Sequence, residues 1–281
     1  MSAAADFQHE IQMRIVPRRH YGRWLATVLI FIAIASVIRA FAVGQIEWSI
    51  VAQFLTAQAI LNGLVNTIIM AIAAMGLGIT LGVMFAVMAM SPNPVLRGSA
   101  QGYIWFFRGT PLILQLLLWF NLALVFPTLG IPGVFEFRTV DVITPFVATL
   151  LGLGINQGAY TAEVVRAGIL SVDQGQSEAA QAIGMPRSTI LRRIVLPQAM
   201  RVIIPPVGNE FISMVKLTSL ASVIQFSEIL RNAQTIYFVN GRVIELLIVA
   251  AIWYIAIVSI LSVGQYFLER HFSRGYATGR R

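Results

Sequence analysis

The sequence has no cysteine, and this absence excludes several kinds of site. Disulfides, thiol catalysis and Cys-ligated zinc all require that side chain. The three histidines are His9, His20 and His271, which lie near the two ends of the chain and do not pair at metal-ligand spacing. The sequence therefore argues against a metal or haem enzyme.

Charged side chains are scarce, at 11% of the residues, against roughly 25% in an ordinary soluble domain. Apolar residues make up 57% of the chain. A chain so poor in charge and so rich in apolar residues is typical of an integral membrane protein.

Lysine is nearly absent, because Lys216 is the only one, and the net charge of +8 comes from arginine. The arginines lie between apolar runs and not along a stripe with interleaved aromatic residues, so nucleic-acid binding is not indicated. No Gly-x4-Gly-Lys-Ser/Thr motif is present, which excludes an ATPase site of that kind. No Ser-His-Asp constellation or catalytic carboxylate pair is evident either. We predict that the chain is not an enzyme and holds no cofactor of its own.

Six apolar runs approach the roughly 20 residues that a membrane helix needs. An amphipathic segment precedes the third run, and two prolines with several polar residues interrupt the fifth. The fold class predicted is all-α, a polytopic transmembrane bundle. Its expected spans are 24–43, 60–90, 111–125, 143–165, 203–224 and 243–267.

The distribution of arginine predicts the orientation, because cytoplasmic segments carry an excess of basic residues. The tail 1–23, the segment after the fourth span and the tail 268–281 each contain four or five arginines, while the loops after the third and fifth spans contain one and two. We expect both tails and the loop 173–201 to be cytoplasmic. The first span could instead be a signal peptide, but Arg39 directly precedes the cleavage-like Ala-Phe-Ala sequence and the apolar run is long for a signal.

The loop 173–201 is predicted to form two short helices. Ser177 is a suitable cap for the first helix and Gly184 a suitable stop. Pro186 suits the first turn of the second helix, which is amphipathic and which Pro197 is expected to end or kink. Such a structured pair of helices indicates a docking partner, and a simple connecting loop is the alternative.

This loop contains a motif of seven residues spread over twenty positions. The motif is Glu-Ala-Ala, then Gly after three residues, Ile after a further nine, and Leu-Pro after one more. With this motif the loop resembles the EAA loop of ATP-binding cassette importer permeases. The segments 107–112, 158–168 and 196–199 are similar to polar amino-acid permeases of the histidine/glutamine type. In the Lys-x-Thr-Ser-Leu motif of that family, Leu217 replaces the usual acidic or amide residue. The resemblance covers a permease core of about 60–267 and leaves 24–43 as an extra first helix.

The resemblance implies a type I importer permease in the bacterial inner membrane, which acts as a dimer with itself or a homologue. Implied partners are a cytoplasmic ATPase dimer that binds ATP and magnesium, a periplasmic substrate-binding protein and membrane lipid. The implied substrate is a polar amino acid or an opine. The loop would supply a coupling helix that docks on the ATPase. The residues expected to carry this coupling are Glu178, Ala179, Ala180, Ile183, Gly184, Ile194, Leu196 and Pro197.

Polar side chains within the spans are candidates for a substrate path, because they are costly to place in a membrane. The alternative is that they hold helices together by hydrogen bonds or, for Glu163 and Lys216, by an ion pair. Arg108 is expected near the cytoplasmic surface. Packing is expected of Gly109, Gly152, Gly154 and Gly158. The path candidates are Asn156, Gln157, Tyr160 and Glu163 in the fourth span and Asn209, Ser213, Lys216, Thr218 and Ser219 in the fifth.

Two other functions are compatible with a polytopic membrane protein. An ion-gradient-driven secondary transporter usually contains internal repeats, and the two halves of this chain show no convincing similarity. A non-transporting assembly protein would leave the polar stripes within the spans without a role. Co-elution with an ATPase would separate the importer from both.

Overall fold

The computed structural model describes residues 21–44, 46–131 and 134–272, which divide into a short first unit and a larger second one. The first unit contains helix α1 (Tyr21–Val43), which is apolar along its length and in which no residue is buried. The second unit begins at Trp48 and contains the remaining elements.

The second unit is built of helices with one small antiparallel hairpin. Its elements are α2 (Trp48–Leu55), α3 (Gln58–Ala89), α4 (Pro94–Gly109), α5 (Leu112–Phe120), a 3-10 turn (Leu122–Leu124), β1 (Thr128–Ile131), β2 (Phe135–Arg138), α6 (Thr139–Val142), α7 (Pro145–Leu170), α8 (Gln174–Ala182), α9 (Arg187–Ile190), a π-helical turn (Leu191–Val195), α10 (Leu196–Leu217), a 3-10 helix (Thr218–Ile224), α11 (Ile229–Asn240) and α12 (Val243–Phe272).

By length and hydropathy, three described helices can each cross a membrane: α1, α3 and α12. Helices α4 and α5 together give a fourth candidate, with a bend of 101° between them. Helices α7 and α10 have 26 and 22 residues, which is long enough to span, but they carry the polar side chains described below.

The third predicted span, 111–125, differs from the structure. Helix α5 has only nine residues, about 13 Å of helix, which cannot cross the bilayer alone. The break before it follows from Pro111, because the residue before a proline is driven into an extended conformation. Thr110 has that conformation, with φ −110° and ψ 141°. Helices α4 and α5 therefore count together, and the bend of 101° makes the pair either a broken span or a re-entrant loop.

The fifth predicted span also differs. Helix α10 continues through Pro205 and Pro206 and then changes to a 3-10 helix at Thr218. Prolines are tolerated in membrane helices where neighbouring groups satisfy the backbone. Here the amide of Gln265 on α12 donates to the carbonyl oxygen of Pro205 at 2.9 Å.

Helices α3 and α7 make the most extensive contact in the second unit, and glycines on α3 allow it. A Cβ atom at Gly78 would lie 2.6 Å from the side chain of Gln157, and one at Gly82 would lie 2.6 Å from the Cβ of Thr161. Small residues four apart let membrane helices approach closely. Two polar side chains of α7 therefore lie directly on the backbone of α3.

The glycines of α7 complete this contact from the other side. Cβ atoms at Gly154 and Gly158 would lie 2.6 Å from Leu77 and 2.8 Å from Leu81. The packing role predicted for them is confirmed, as is that of Gly152, which faces Leu116. Gly109 differs, because a Cβ atom there would meet nothing within 4 Å. That residue ends α4 beside the break.

A small apolar cluster continues the α3–α7 contact toward the loop 173–201. It joins residues of α3, α4, α7 and α10, and these are Ala86, Ile104, Ala162, Val165, Ala199 and Ile203. Since α10 begins at the end of that loop, this cluster fixes the loop to the packed helices.

We expect Gly82→Ala to destabilise the protein by about 1–3 kcal/mol, because the added methyl group overlaps the Thr161 side chain. Gly76→Ala on the same helix is the matched control, since nothing lies within 4 Å of its Cβ position. The measurement is the thermal unfolding midpoint of each purified variant in detergent. Equal midpoints for both variants would contradict the close contact.

Candidate functional site

The loop 173–201 begins with a capped helix. The carboxylate of Asp173 accepts a hydrogen bond from the backbone of Gly175 at 2.6 Å, so Asp173 caps α8. Ser177, the predicted cap, lies one turn inside the helix. The difference arises because α8 starts at Gln174, where the aspartate satisfies a free amide at the helix start.

Gly184 ends this helix as predicted. Its φ is +81°, a left-handed conformation that favours glycine. The backbone of Gly184 donates to Gln181 at 2.9 Å, and that of Met185 donates to Ala180 at 3.1 Å. Carbonyl groups at the end of a helix lack partners within the helix, and these two hydrogen bonds supply them. Pro186 caps α9 and therefore lies one position before its first turn.

Pro197 does not end the helix that contains it. It lies at the second position of α10, directly after the π-helical turn. Proline is tolerated in a first turn because its missing amide would have no partner there. Helices α9 and α10 therefore form one helical stretch with a π turn between them.

The surface of the loop is partly apolar. Glu178, Ala179 and Gly184 are exposed, and Ile183 is 78% exposed. Ala180, expected among the docking residues, instead points inward and is 4% exposed. The remaining coupling candidates, Ile194, Leu196 and Pro197, lie on the adjoining helical stretch, where the first two are half-buried.

A side-chain contact ties α8 to the start of α10. The amide of Gln198 donates to the side-chain oxygen of Gln176 at 2.6 Å and to the carbonyl oxygen of Ile194 at 2.9 Å. The loop is therefore held against the helix that follows it and is not a free connection.

Asn156 on α7 is bound to the break between α4 and α5. Its amide donates to the carbonyl oxygen of Phe107 at 2.8 Å and to Gln115 at 3.3 Å. Gln115 in turn donates to the hydroxyl of Thr110 at 2.7 Å. Polar groups at a break replace the hydrogen bonds that a continuous helix would make. Asn156 is 8% exposed, and its contacts fit helix–helix bonding.

Gln157 reaches a carboxylate that the sequence analysis missed. Its amide donates to Glu210 on α10 at 2.7 Å, and the hydroxyl of Thr161 donates to the same oxygen at 3.2 Å. Glu210 lies outside the spacing that selected Asn209 and Lys216. The available signal was an acidic residue in an apolar span, which is expensive to place there.

A charged cluster lies further along α7, around Glu163. Arg166 donates to both carboxylate oxygens of Glu163, at 3.2 and 3.0 Å. A guanidinium nitrogen of Arg108 lies 3.9 Å from the same carboxylate. The central carbon of the Arg108 guanidinium lies 5.3 Å from the ring centre of Tyr160. Glu163 thus pairs with two arginines and not with the Lys216 considered from the sequence. Tyr160 is 42% exposed, so the cluster opens onto the surface of the subunit.

The candidates on α10 and beyond separate into two groups. Asn209 donates to Glu269 on α12 at 3.0 Å and so connects two helices. The buried hydroxyl of Thr218 donates to the carbonyl oxygen of Val215 at 2.7 Å, within its own helical stretch. Ser213 and Lys216 are exposed, and Ser219 donates to the carbonyl oxygen of Lys216 at 2.7 Å.

The geometry therefore divides the predicted path. Some candidates connect neighbouring helices, and others face outward from the subunit. The connecting group is Asn156, Gln157 and Asn209. Thr218 is buried and bonds within its own helical stretch. The outward group is Tyr160, Ser213 and Lys216. Among the described residues, no three histidine, aspartate or glutamate side chains are placed to hold a metal ion.

Comparison with known proteins places these features in a family context. Residues 78–274 match the family described as binding-protein-dependent transport system inner membrane component. The chain is 42% identical over 262 residues to the arginine transport system permease protein ArgU of Corynebacterium glutamicum, covering 92% of this chain and 83% of that protein. It is 39% identical over 214 residues to the L-cystine transport system permease protein TcyB of Bacillus subtilis, covering 76% and 86%.

A solved structure is similar as well. It is described as an amino acid ABC transporter with histidines. The two chains are 36% identical and superpose with a TM-score of 0.67 over 76% of this chain and 94% of the other. The fold predicted from the sequence, that of a type I ABC importer permease, is confirmed.

The bond between Gln157 and Glu210 can be measured by a double-variant cycle. We expect Gln157→Leu and Glu210→Met to be coupled by about 0.5–2 kcal/mol, because each variant removes the bond between them and leaves the other group with Thr161 alone. The measurement is the free energy of unfolding of both single variants and the double variant in detergent. Strict additivity would contradict the bond.

Proposed function

The chain belongs to the family of inner-membrane components of binding-protein-dependent transport systems, and we propose which substrate it carries and how it is coupled. As a member of that family it is a membrane-spanning permease subunit of an amino-acid importer and not an enzyme. The proposed cargo is a polar amino acid, with opines as the neighbouring class. The single observation that carries this proposal is the similarity to permeases named for arginine and cystine over most of the chain.

The coupling proposal is supported by the shape of the loop 173–201. Helix α8 is capped at one end, stopped at the other and held to α10 through Gln176 and Gln198. Its exposed residues include Ile183, an apolar side chain, and Glu178, a carboxylate. An exposed apolar side chain at the centre of a polar rim is a usual anchor for a protein partner. We propose that Ile183 enters a groove of the cytoplasmic ATPase.

Movement would pass from this loop into the membrane through α10. That helix starts at Leu196, directly after the π turn, and continues to Leu217. A push on α8 would displace α10 and the helices packed against it together. Closure of two ATPase subunits around ATP and magnesium would then rotate two permease subunits as rigid bodies and change the access of the cavity between them.

The outward-facing polar groups are the proposed substrate path. Tyr160, Ser213 and Lys216 are exposed on α7 and α10. A second permease subunit, either another copy or a homologue, would face these helices and close the path. The Arg108–Glu163 cluster offers charges of both signs, which suits a zwitterion carrying a carboxylate and an ammonium group.

The remaining partners follow from the family and the charge pattern. A substrate-binding protein would deliver the amino acid on the periplasmic side, and the loop 173–201 would face the cytoplasm. Both tails, 1–23 and 268–281, are proposed to be cytoplasmic because they are rich in arginine. Most of each tail lies outside the described residues.

The proposal is tested by ATPase activity in proteoliposomes that contain the permease, its co-expressed ATPase and a panel of amino-acid-loaded binding proteins. Stimulation by one loaded binding protein would identify the substrate. Stable assembly with the ATPase but no stimulation by any amino acid would contradict the proposed cargo. Failure to assemble with an ATPase would contradict the coupling role.

We expect Ile183→Asp to abolish this stimulation without preventing membrane insertion, because it places a charge in the proposed ATPase groove. Ile183→Val is the matched control and should retain stimulation. Glu178→Arg and Gly184→Trp, on the same surface, should also uncouple ATP hydrolysis from uptake. Normal uptake by Ile183→Asp and Glu178→Arg would refute the docking assignment.

Lys216 tests the substrate path separately. We expect Lys216→Ala to lower uptake severalfold while the ATPase assembly stays intact, because an exposed cation of α10 is removed from the proposed path. Lys216→Arg keeps the charge and should retain most uptake. The measurement is the concentration dependence of uptake for each variant. If the concentration dependence of uptake is unchanged in Lys216→Ala, Lys216 has only a structural role.

A further inference from the structure

The hairpin between α5 and α7 has one apolar and one polar face. Directly paired residues share a face, and Leu129 pairs with Phe137 while Ile131 pairs with Phe135. These four apolar side chains therefore lie on one face. The intervening pairs, Thr128 with Arg138 and Gly130 with Glu136, lie on the opposite face.

Three of the four apolar side chains are exposed in the part of the chain that the structure describes, and Leu129 is half-buried. Ile131 is 56% exposed, Phe135 50% and Phe137 58%. An isolated two-stranded hairpin is marginally stable in water unless an apolar face is covered. An exposed patch of this kind marks a protein or a membrane interaction site.

The position of the hairpin limits what can cover it. Its base is closed by Thr139, whose backbone donates to Pro127 at 3.0 Å and whose hydroxyl donates to the carbonyl oxygen of Phe126. The hairpin thus lies between α5 and α7, and α7 with its 26 residues is long enough to span the bilayer. Each strand has four residues, about 13 Å. It is therefore held at the level of the membrane surface.

The exposed apolar surface continues from the hairpin onto the preceding helix. Leu118 on α5 is 69% exposed, and Leu124 and Val125 after it are 83% and 69% exposed. Helix α5 belongs to the bent apolar pair α4–α5 that passes the length and hydropathy test for a membrane segment. The apolar face of the hairpin adds no polar side chain to that surface, because its charged side chains, Glu136 and Arg138, lie on the other face.

We propose that the hairpin is a lipid-binding element whose Leu129–Ile131–Phe135–Phe137 face lies in the boundary between headgroups and acyl chains. The leaflet is the one opposite the loop 173–201, because α7 crosses from the hairpin to that loop. Amphipathic elements at membrane surfaces bind lipid in this way, with the apolar face inserted and the charged face in water. The proposal depends on the membrane position of α5 and α7 and not on the substrate.

The absence of cysteine from the chain allows a direct test. Single-cysteine variants carry a nitroxide spin label in nanodiscs of phosphatidylethanolamine and phosphatidylglycerol. Phe137→Cys and Ile131→Cys probe the apolar face on the two strands, and Glu136→Cys is the matched control on the polar face. Relaxation by oxygen, which concentrates in lipid, is compared with relaxation by a water-soluble nickel chelate.

We expect a severalfold higher oxygen-to-nickel ratio at positions 137 and 131 than at 136. High nickel accessibility on both faces would overturn the proposal in favour of an element standing in water. Low accessibility to both reagents at 137 and 131 would overturn it in favour of a protein occupant, either a second copy or a binding protein. The two apolar-face sites lie on different strands, so one disrupted variant does not remove the test.

Discussion

The close approach of α3 and α7 is the contact on which the rest of the membrane part depends. Because Gly78 and Gly82 have no side chains, the side chains of Gln157 and Thr161 lie directly against the α3 backbone. From there both side chains reach Glu210 and fix α10 to α7. Larger side chains at these glycines would move α7 and with it the polar groups that connect the bundle.

The same arrangement explains why a polar side chain in a span is ambiguous. Asn156 is bound at the break beside Pro111, where backbone groups need new partners. Tyr160, one turn further along α7, faces outward with Arg108 beside it. Neighbours on one helix can therefore serve packing and transport, and only their contacts tell them apart. We propose a path role for the outward group and for the Arg108–Glu163 cluster beside it.

The stop at Gly184 is predictable because it depends on the backbone of a few residues. The cap at Asp173 and the continuation of α10 past Pro197 were not predicted. The length of α5 is not predictable from the apolar run, because the run continues after Phe120 into the 3-10 turn Leu122–Leu124. Glu210 was missed because its role depends on a glycine pair in another helix. The hairpin was missed because its strands have only four residues each and lie in the segment between the third and fourth predicted spans, which was interpreted as a loop.

We propose that ATP drives this permease to import an amino acid. The direct test is uptake of a labelled amino acid into proteoliposomes that contain the permease, its ATPase and the loaded binding protein. We predict that the labelled amino acid accumulates when ATP is supplied on the ATPase side and does not accumulate with a proton or sodium gradient alone. Accumulation driven by an ion gradient without ATP would contradict it.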